Sequence, residues 1–250
     1  MRATSGIRVA AVSAAPRRPR VRAVRRNGLG RLASALMVDG ELLDTPHGPA
    51  RVFRRPADEG ADAAKRRSAN GASAEATLLL GHGAGGSVEA PDIQAVTSAA
   101  TAAGIDVVLV EQPYRVAGKR SAAPAPKLDE AWASVVEQLG LAGSTVPFFA
   151  GGRSSGARVA CRTAKATGAA GVVCLAFPLI TPKGASRQDE LDAAGVPVFI
   201  AQGESDRFGM PEPGEGREVV RVRGDHGLKR DLDVVSAAVV AWIQRQLPAG

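Results

Sequence analysis

Residues 146–158 read Val-Pro-Phe-Phe-Ala-Gly-Gly-Arg-Ser-Ser-Gly-Ala-Arg. The stretch combines an apolar run typical of a buried strand, a Gly-x-Ser-x-Gly turn centred on Ser154, and the start of a helical pattern. A sharp turn between a strand and a helix strains the backbone of its central residue and tolerates only small neighbours. It also lifts the central side chain above the sheet, at the positive end of the following helix. We therefore expect a nucleophilic Ser154, whereas Ser155 is out of register because Ala157 would replace the second glycine.

Short apolar runs alternate with longer helical patterns on both sides of this stretch. The strands are expected at Glu41–Asp44, Arg51–Arg54, Thr77–Leu80, Asp106–Val110, Pro147–Ala150, Val172–Phe177, Pro197–Ala201 and Val219–Val222. The helices are expected at Pro91–Ala103, Leu128–Leu139, Ser155–Ala166 and Leu232–Leu247. The middle strands are continuously apolar, which is typical of strands covered on both faces. This alternation predicts an α/β fold with a mostly parallel sheet and right-handed crossovers.

The connections between these elements add three expectations. The first two strands have no helix between them, which predicts an antiparallel hairpin at one edge of the sheet. Residues 56–75 are rich in Ala, Gly, Asp and Arg and are expected to form an exposed connection. The segment between the Val172 and Pro197 strands is too short for a large cap domain, so we expect a shallow pocket or one covered only by loops.

The composition separates a basic block from a nearly neutral body. With 250 residues, 45% of them apolar, the chain has enough material for a core, which excludes wholesale disorder. The net charge is +7, but residues 1–36 hold nine arginines and no acidic residue, so +7 less +9 leaves −2 for residues 37–250. We therefore expect no nucleic-acid partner for the folded domain. No run approaches the roughly 18 apolar residues of a membrane-spanning helix.

The basic block, residues 1–36, is expected to be disordered because it lacks periodicity and its like charges repel. Four interpretations of the block stay open. Either translation starts at Met37, or the block is a basic tail that touches nucleic acid or membrane, or it is a transit peptide, or it is an export signal with a twin-arginine pair. In each case the predicted α/β domain spans residues 37–250.

An earlier strand ends in Gly-His-Gly-Ala-Gly-Gly at residues 81–86. Backbone N–H groups freed at such a position stabilise the oxyanion that develops in acyl transfer. We expect the two donors to be the amides of Ala84 and Ser155, with Gly85 as the alternative to Ala84. A phosphate-binding loop is the competing interpretation, but the Gly-Lys-Ser/Thr ending of a P-loop is missing.

The general base is found by elimination among three histidines. His47 precedes every strand that would carry the site, and His82 belongs to the oxyanion loop, where its ring is expected to support the backbone. His226 follows the last strand, in a loop that would lie beside the Ser154 turn, and is therefore the expected base.

The acid is expected between the serine and the histidine along the chain. Asp206 follows a strand there, and a carboxylate at this place would orient the imidazole of His226. Glu204 and Asp225 are the rivals, but Asp225 adjoins the histidine and would point elsewhere.

A set of ordered motifs carries a family resemblance. The motifs are Gly81-His-Gly-Ala-Gly-Gly86, Glu111-Gln-Pro-Tyr114, Gly151-Gly-Arg-Ser-Ser-Gly-Ala-Arg158, Cys174-Leu-Ala-Phe-Pro178, Gln202-Gly-Glu-Ser-Asp-Arg-Phe-Gly209 and Gly224-Asp-His226. Over residues 40–247 the chain resembles the α/β-hydrolase superfamily. Within it, the chain is similar to the dienelactone-hydrolase-like branch of testis-expressed and non-specific-lethal-complex hydrolase-like proteins. The resemblance implies an eight-stranded sheet, a serine-histidine-acid triad and no cofactor.

Two departures limit what the resemblance implies. The family often shows Ser-Met-Gly-Gly-Arg where this chain has Ser-Ser-Gly-Ala-Arg at residues 154–158, which changes the polarity beside the nucleophile. Dienelactone hydrolases carry a cysteine nucleophile, whereas Ser154 holds that position here, so their substrate is not transferred.

These observations predict a serine hydrolase that acts on a small carboxylic ester or related acyl substrate. The expected partner is that small molecule, with no membrane, no metal and an open oligomeric state. Cys161 and Cys174 are expected to be buried packing residues and fit a cytoplasmic location. The alternative is a noncatalytic module that uses the fold as a scaffold for protein interaction.

Overall fold

The computed structural model describes residues 40–58 and 74–248. All of them belong to the second of two units of the chain, Asp39–Gly250. The expectations for the basic block at residues 1–36, including the alternative start after it, lie outside the described residues. So does most of the exposed connection expected at residues 56–75.

The described residues form eight strands and six helices. The strands are β1 (Glu41–Leu43), β2 (Ala50–Arg55), β3 (Ala76–Gly81), β4 (Ile105–Glu111), β5 (Phe148–Arg153), β6 (Gly171–Leu175), β7 (Val198–Gly203) and β8 (Arg217–Val222). The helices are α1 (Pro91–Ala102), α2 (Pro113–Val116), α3 (Ala125–Gln138), α4 (Ser155–Thr167), α5 (Gln188–Asp192) and α6 (Leu232–Gln246).

A single sheet runs in the order β1-β2-β4-β3-β5-β6-β7-β8. The hairpin of β1 and β2 is antiparallel, as predicted, and β2 lies antiparallel to β4. The five remaining neighbouring pairs are parallel. This confirms the predicted α/β class. The carboxyl ends of the parallel strands therefore meet at one edge, where open sheets of this kind carry their sites.

Helices cover both faces of the sheet. Neighbouring residues of a strand point to opposite faces, and the start of β5 shows this directly. Phe148 shares a buried cluster with Trp132 of α3, whereas Phe149 packs edge-to-face on Trp242 of α6. Helix α3 packs on α4, and α6 packs on α1. Because both faces are covered, the central strands are apolar throughout.

The element bounds differ from the sequence expectations in a few places, each with a local cause. Strand β6 ends at Leu175 because Ala176 has a φ of 55°, which turns the chain out of the sheet. Helix α3 begins three residues early, since Pro126 fits the first turn of a helix. The short helices α2 and α5 were not predicted, because four or five residues show no helical period.

The segment between β6 and β7 contains only the five-residue helix α5, so no large cap covers the sheet edge. In the ranges that the structure describes, none of the helices has the length and apolar character that crossing a bilayer requires.

Candidate active site

Ser154 sits in the sharp turn between β5 and α4. Its φ of 52° and ψ of −103° are unusual for a residue with a side chain and store strain in the backbone. The glycines on either side explain how the turn closes. A Cβ atom on Gly152 or on Gly156 would lie 2.5 Å from the carbonyl oxygen of Gly81 at the end of β3. Only glycine at both positions lets the turn pack against that strand.

The side chains of Ser154, His226 and Asp206 meet above the sheet. The Nε2 atom of His226 lies 2.9 Å from the Oγ of Ser154, and its Nδ1 atom lies 2.7 Å from an Oδ of Asp206. The Asp206 side chain is fully buried and that of His226 is 18% exposed. Because a carboxylate only accepts, Nδ1 carries the proton and Nε2 accepts from the serine hydroxyl. The structure thus brings together the three residues that the sequence selected.

The rival residues lie elsewhere. Asp225 accepts the amide of Gly227 at 2.9 Å, so its carboxylate is turned into its own loop. Glu204 is exposed, and the Nδ1 atom that it would have to reach is occupied by Asp206. The ring of His47 pairs with Glu130 at 2.6 Å.

Two residues that sequence reasoning missed surround the acid. The side-chain amide of Gln202, which is fully buried, donates to Oδ2 of Asp206 at 2.8 Å, and the backbone amide of Phe208 donates to Oδ1 at 2.9 Å. The ring of Phe208 also packs edge-to-face on His226, with centroids 4.6 Å apart. A polar residue at the end of an otherwise apolar strand was the available signal for Gln202.

The predicted oxyanion loop leaves β3 as a tight turn. The amide of Gly86 donates to the carbonyl of Gly83 at 3.0 Å, and Ala84 and Gly85 at the tip are exposed. Within the described part of the chain, the amides of Ala84, Gly85 and Ser155 donate no hydrogen bond. All three predicted donors therefore have their hydrogen-bonding capacity free.

His82 and Tyr114 hold this loop in place. The Nδ1–H group of His82 donates to the carbonyl of Gly83 at 2.8 Å, and its Nε2 atom accepts the amide of Gln112 at 3.1 Å. Burial lowers the pKa of His82, so the ring is neutral, as this pairing requires. The hydroxyl of Tyr114 donates to the carbonyl of Ala84 at 2.8 Å, and burial raises its pKa to about 12. Both rings therefore support the backbone.

The cysteines are packing residues. The sulfur atoms of Cys161 and Cys174 lie 3.6 Å apart, both thiols are free, and both side chains are fully buried. Burial raises the pKa of Cys174 well above its usual value, which keeps the thiol unreactive. Across residues 40–58 and 74–248, no three His, Cys, Asp or Glu side chains are grouped so as to hold a metal ion.

The part of the chain that carries this geometry matches a known family. A family model described as an alpha/beta hydrolase domain matches residues 74–230, more than half of the chain. The chain belongs to this alpha/beta hydrolase family. The matched span of the hydrolase domain includes Ser154, Asp206 and His226. No curated protein matches the chain.

Several solved structures share this fold. An α/β serine hydrolase without a lid from Xanthomonas campestris is 20% identical, with a TM-score of 0.65 over 85% of this chain and 96% of its own. Est1E from Butyrivibrio proteoclasticus is 15% identical, with a TM-score of 0.62 over 83% and 99%. A dienelactone hydrolase from Anabaena variabilis is 15% identical, with a TM-score of 0.60 over 84% and 97%. At these identities the likeness concerns the fold alone.

Proposed function

We propose that this alpha/beta hydrolase is a serine hydrolase that cleaves a small carboxylic ester or a related acyl compound. The observation that carries the proposal is the chain of contacts from the strained Ser154 to His226 at 2.9 Å and on to Asp206 at 2.7 Å. A serine hydroxyl is a weak nucleophile unless a base accepts its proton, and this geometry supplies one.

The first half of the reaction forms an acyl-enzyme. His226 takes the proton of Ser154 at Nε2 while the Oγ atom attacks the carbonyl carbon of the substrate. The free amides of Ser155 and of Ala84, or of Gly85 in its place, hold the oxyanion. Asp206 stabilises the imidazolium through Nδ1. The intermediate then collapses, and His226 returns the proton to the leaving alcohol.

The second half repeats these steps with water. His226 removes a proton from a water molecule, the hydroxide attacks the acyl carbon, and Ser154 leaves with the proton. Removing one oxyanion donor typically costs about 10²- to 10³-fold in kcat. The donors are two backbone amides, so side-chain substitutions in the oxyanion loop leave the hydrogen bonds themselves in place.

The open sheet edge supports a small acyl substrate. Only helix α5 stands between β6 and β7, so no cap is available to bury a long chain. The ordered motifs of the sequence support a place in the dienelactone-hydrolase-like branch of testis-expressed and non-specific-lethal-complex hydrolase-like proteins. They do not transfer the substrate of dienelactone hydrolases, because the nucleophile is a serine here.

A fluorophosphonate probe tests the proposal. We expect the wild-type protein and Ser155→Ala to be labelled and Ser154→Ala to remain unlabelled, since Ser154 is the one of these two serines whose hydroxyl contacts His226. In a panel of esters, thioesters and lactones, Asp206→Ala and His226→Ala should lose about 10³-fold or more in kcat. A folded wild-type protein that takes up no probe and turns over no member of the panel would instead be a noncatalytic module.

A further inference from the structure

Arg153 is the last residue of β5 and lies next to Ser154 in the chain. Its side chain extends to the loop that carries the predicted base, His226. The Nη2 group donates to the backbone carbonyl oxygen of His226 at 2.8 Å. Arg153 thus contacts His226 through the backbone, which leaves both ring nitrogens of the imidazole to Ser154 and Asp206.

Asp92 holds the other side of the guanidinium. It lies in the first turn of α1, its side chain is fully buried, and its Oδ2 atom is 3.3 Å from the Nε of Arg153. Arg153 is its one salt-bridge partner among the residues described. Burial raises the pKa of Asp92, and the charge of Arg153 acts against this rise. A carboxylate buried this deeply needs an opposite charge close by, and the guanidinium of Arg153 is that charge.

The guanidinium also lies against the oxyanion loop. A Cβ atom added to Gly83 would come 3.1 Å from the Nη1 of Arg153. The Arg153 side chain therefore contacts the His226 loop and the oxyanion loop. It belongs to a residue of the Ser154 turn, and it forms an ion pair with Asp92 of α1. Neither Arg153 nor Asp92 has a role in the proposed chemistry, so the arrangement calls for a separate explanation.

We propose that Arg153 is a positioning residue that fixes the loop of His226 relative to Ser154, with Asp92 as its anchor. The inference rests on the proposed function, since it assigns Arg153 a role in that reaction. Hydrogen bonds to a charged donor are the stronger kind. The bond from Arg153 sets where the backbone of His226 lies, and a displacement of about 1 Å at a catalytic group costs about 10²-fold in rate.

The test compares Arg153→Met and Arg153→Lys in two backgrounds, the otherwise wild-type protein and His226→Ala. Methionine keeps the length of the stem and removes the charge and the donors, whereas lysine keeps the charge. In the wild-type background we expect Arg153→Met to lose about 10- to 100-fold in kcat on p-nitrophenyl acetate, with KM within about twofold. Arg153→Lys should recover part of the loss.

In the His226→Ala background, Arg153→Met should change the residual activity by less than about twofold, because the group that it positions is gone. Equal losses in both backgrounds would overturn the inference, since Arg153 would then act on the Ser154 turn or the oxyanion loop. Unchanged kcat in the wild-type background would overturn it as well. A wild-type protein that takes up no fluorophosphonate is a different result, because the proposed function itself then fails.

Two further variants keep the test decisive if Arg153→Met does not fold. Asp92→Asn leaves the guanidinium without its anchor and should lower kcat about 3- to 10-fold, with KM within about twofold, through a smaller displacement of the same loop. Arg158→Met is the matched control, because it removes a guanidinium that binds Glu190 instead of His226. Its kcat should stay within about twofold of wild type, and an equal loss in this control would overturn the inference.

Discussion

The loop after β5 and the loop after β7 lie on opposite sides of the His226 imidazole, and they are held by different forces. The first positions Ser154 by steric exclusion, since Gly152 and Gly156 close on Gly81 with no room for a Cβ atom. The second positions Asp206 by polar contacts around a fully buried carboxylate.

This difference separates two ways in which the site can fail. The turn at Ser154 is closely packed and cannot relax unless a strand or a helix moves. Substitutions in this turn should therefore lower the free energy of unfolding. A buried carboxylate that loses a donor keeps its place in the fold but loses part of its ability to stabilise a neighbouring charge. Substitutions of the groups that donate to Asp206 should therefore lower the rate of catalysis.

The largest effect is expected from Gly156→Ala. The added Cβ atom would lie 2.5 Å from the carbonyl oxygen of Gly81, so α4 or β3 must move. We expect a loss of about 2–4 kcal/mol in the free energy of unfolding, measured by urea denaturation, together with loss of activity. Gly214→Ala is the control, because nothing lies within 4 Å of its Cβ position. If Gly156→Ala were as stable as this control, the steric account of the turn would be wrong.

A smaller effect, on the rate as well as on stability, is expected from Gln202→Leu. Leucine has a similar volume but cannot donate to Asp206, which among the described residues then keeps the amide of Phe208 and the ring of His226. The same amide also donates to the carbonyls of Phe177 and Gly209, so part of the loss is in stability. A hydrogen bond to a charged group contributes about 1.5–3 kcal/mol, so kcat/KM should fall about 10- to 100-fold. Ser205→Ala, at an exposed position in the turn between β7 and Asp206, should leave the rate unchanged. A loss of stability with no loss of rate would show that Gln202 serves only the fold.

The contrast between glycine packing around Ser154 and polar contacts around Asp206 also explains which features the sequence could predict. Glycine spacing around Ser154 encodes a steric requirement, and the order of strands and helices follows from hydrophobic periodicity, so both were predictable. The hydrogen-bond and ion-pair partners of Gln202 and Arg153, by contrast, are brought together only when the chain folds. Gln202 sits in a strand that otherwise looks like packing, and Arg153 occupies a variable place of the Gly-x-Ser-x-Gly turn, far along the chain from Asp92. The contacts of Arg153 with Asp92 and His226 join residues far apart along the chain and leave no local signal, whereas Gln202 was visible as a polar residue in an apolar strand but its partner was not.

The smallest effect is expected from Glu190→Gln. This substitution tests whether ion pairs on helix α4 also support the turn at Ser154. Glu190 binds Arg158, one turn into α4, through both carboxylate oxygens at 2.6 and 2.7 Å, and it binds Arg162 at 2.8 Å. Burial alone would raise the pKa of Glu190, but the two guanidinium groups outweigh it and lower the pKa. The ion pairs therefore stabilise the fold above the ordinary pKa of 4.5, and this contribution is lost as the pH falls through the lowered value.

We expect Glu190→Gln to cost about 1 kcal/mol in the free energy of unfolding at pH 7, since the pair is partly exposed and screened by solvent. The difference from wild type should shrink as the pH falls below the ordinary pKa of 4.5 and through the lowered pKa of Glu190. The exposed Asp189 of the same helix forms no salt bridge with a described residue, so Asp189→Asn should show neither change. Activity should stay within about twofold, because the steric turn holds Ser154 without the ion pairs. A drop in kcat at unchanged stability would mean that charge, and not glycine packing alone, sets the geometry of the nucleophile.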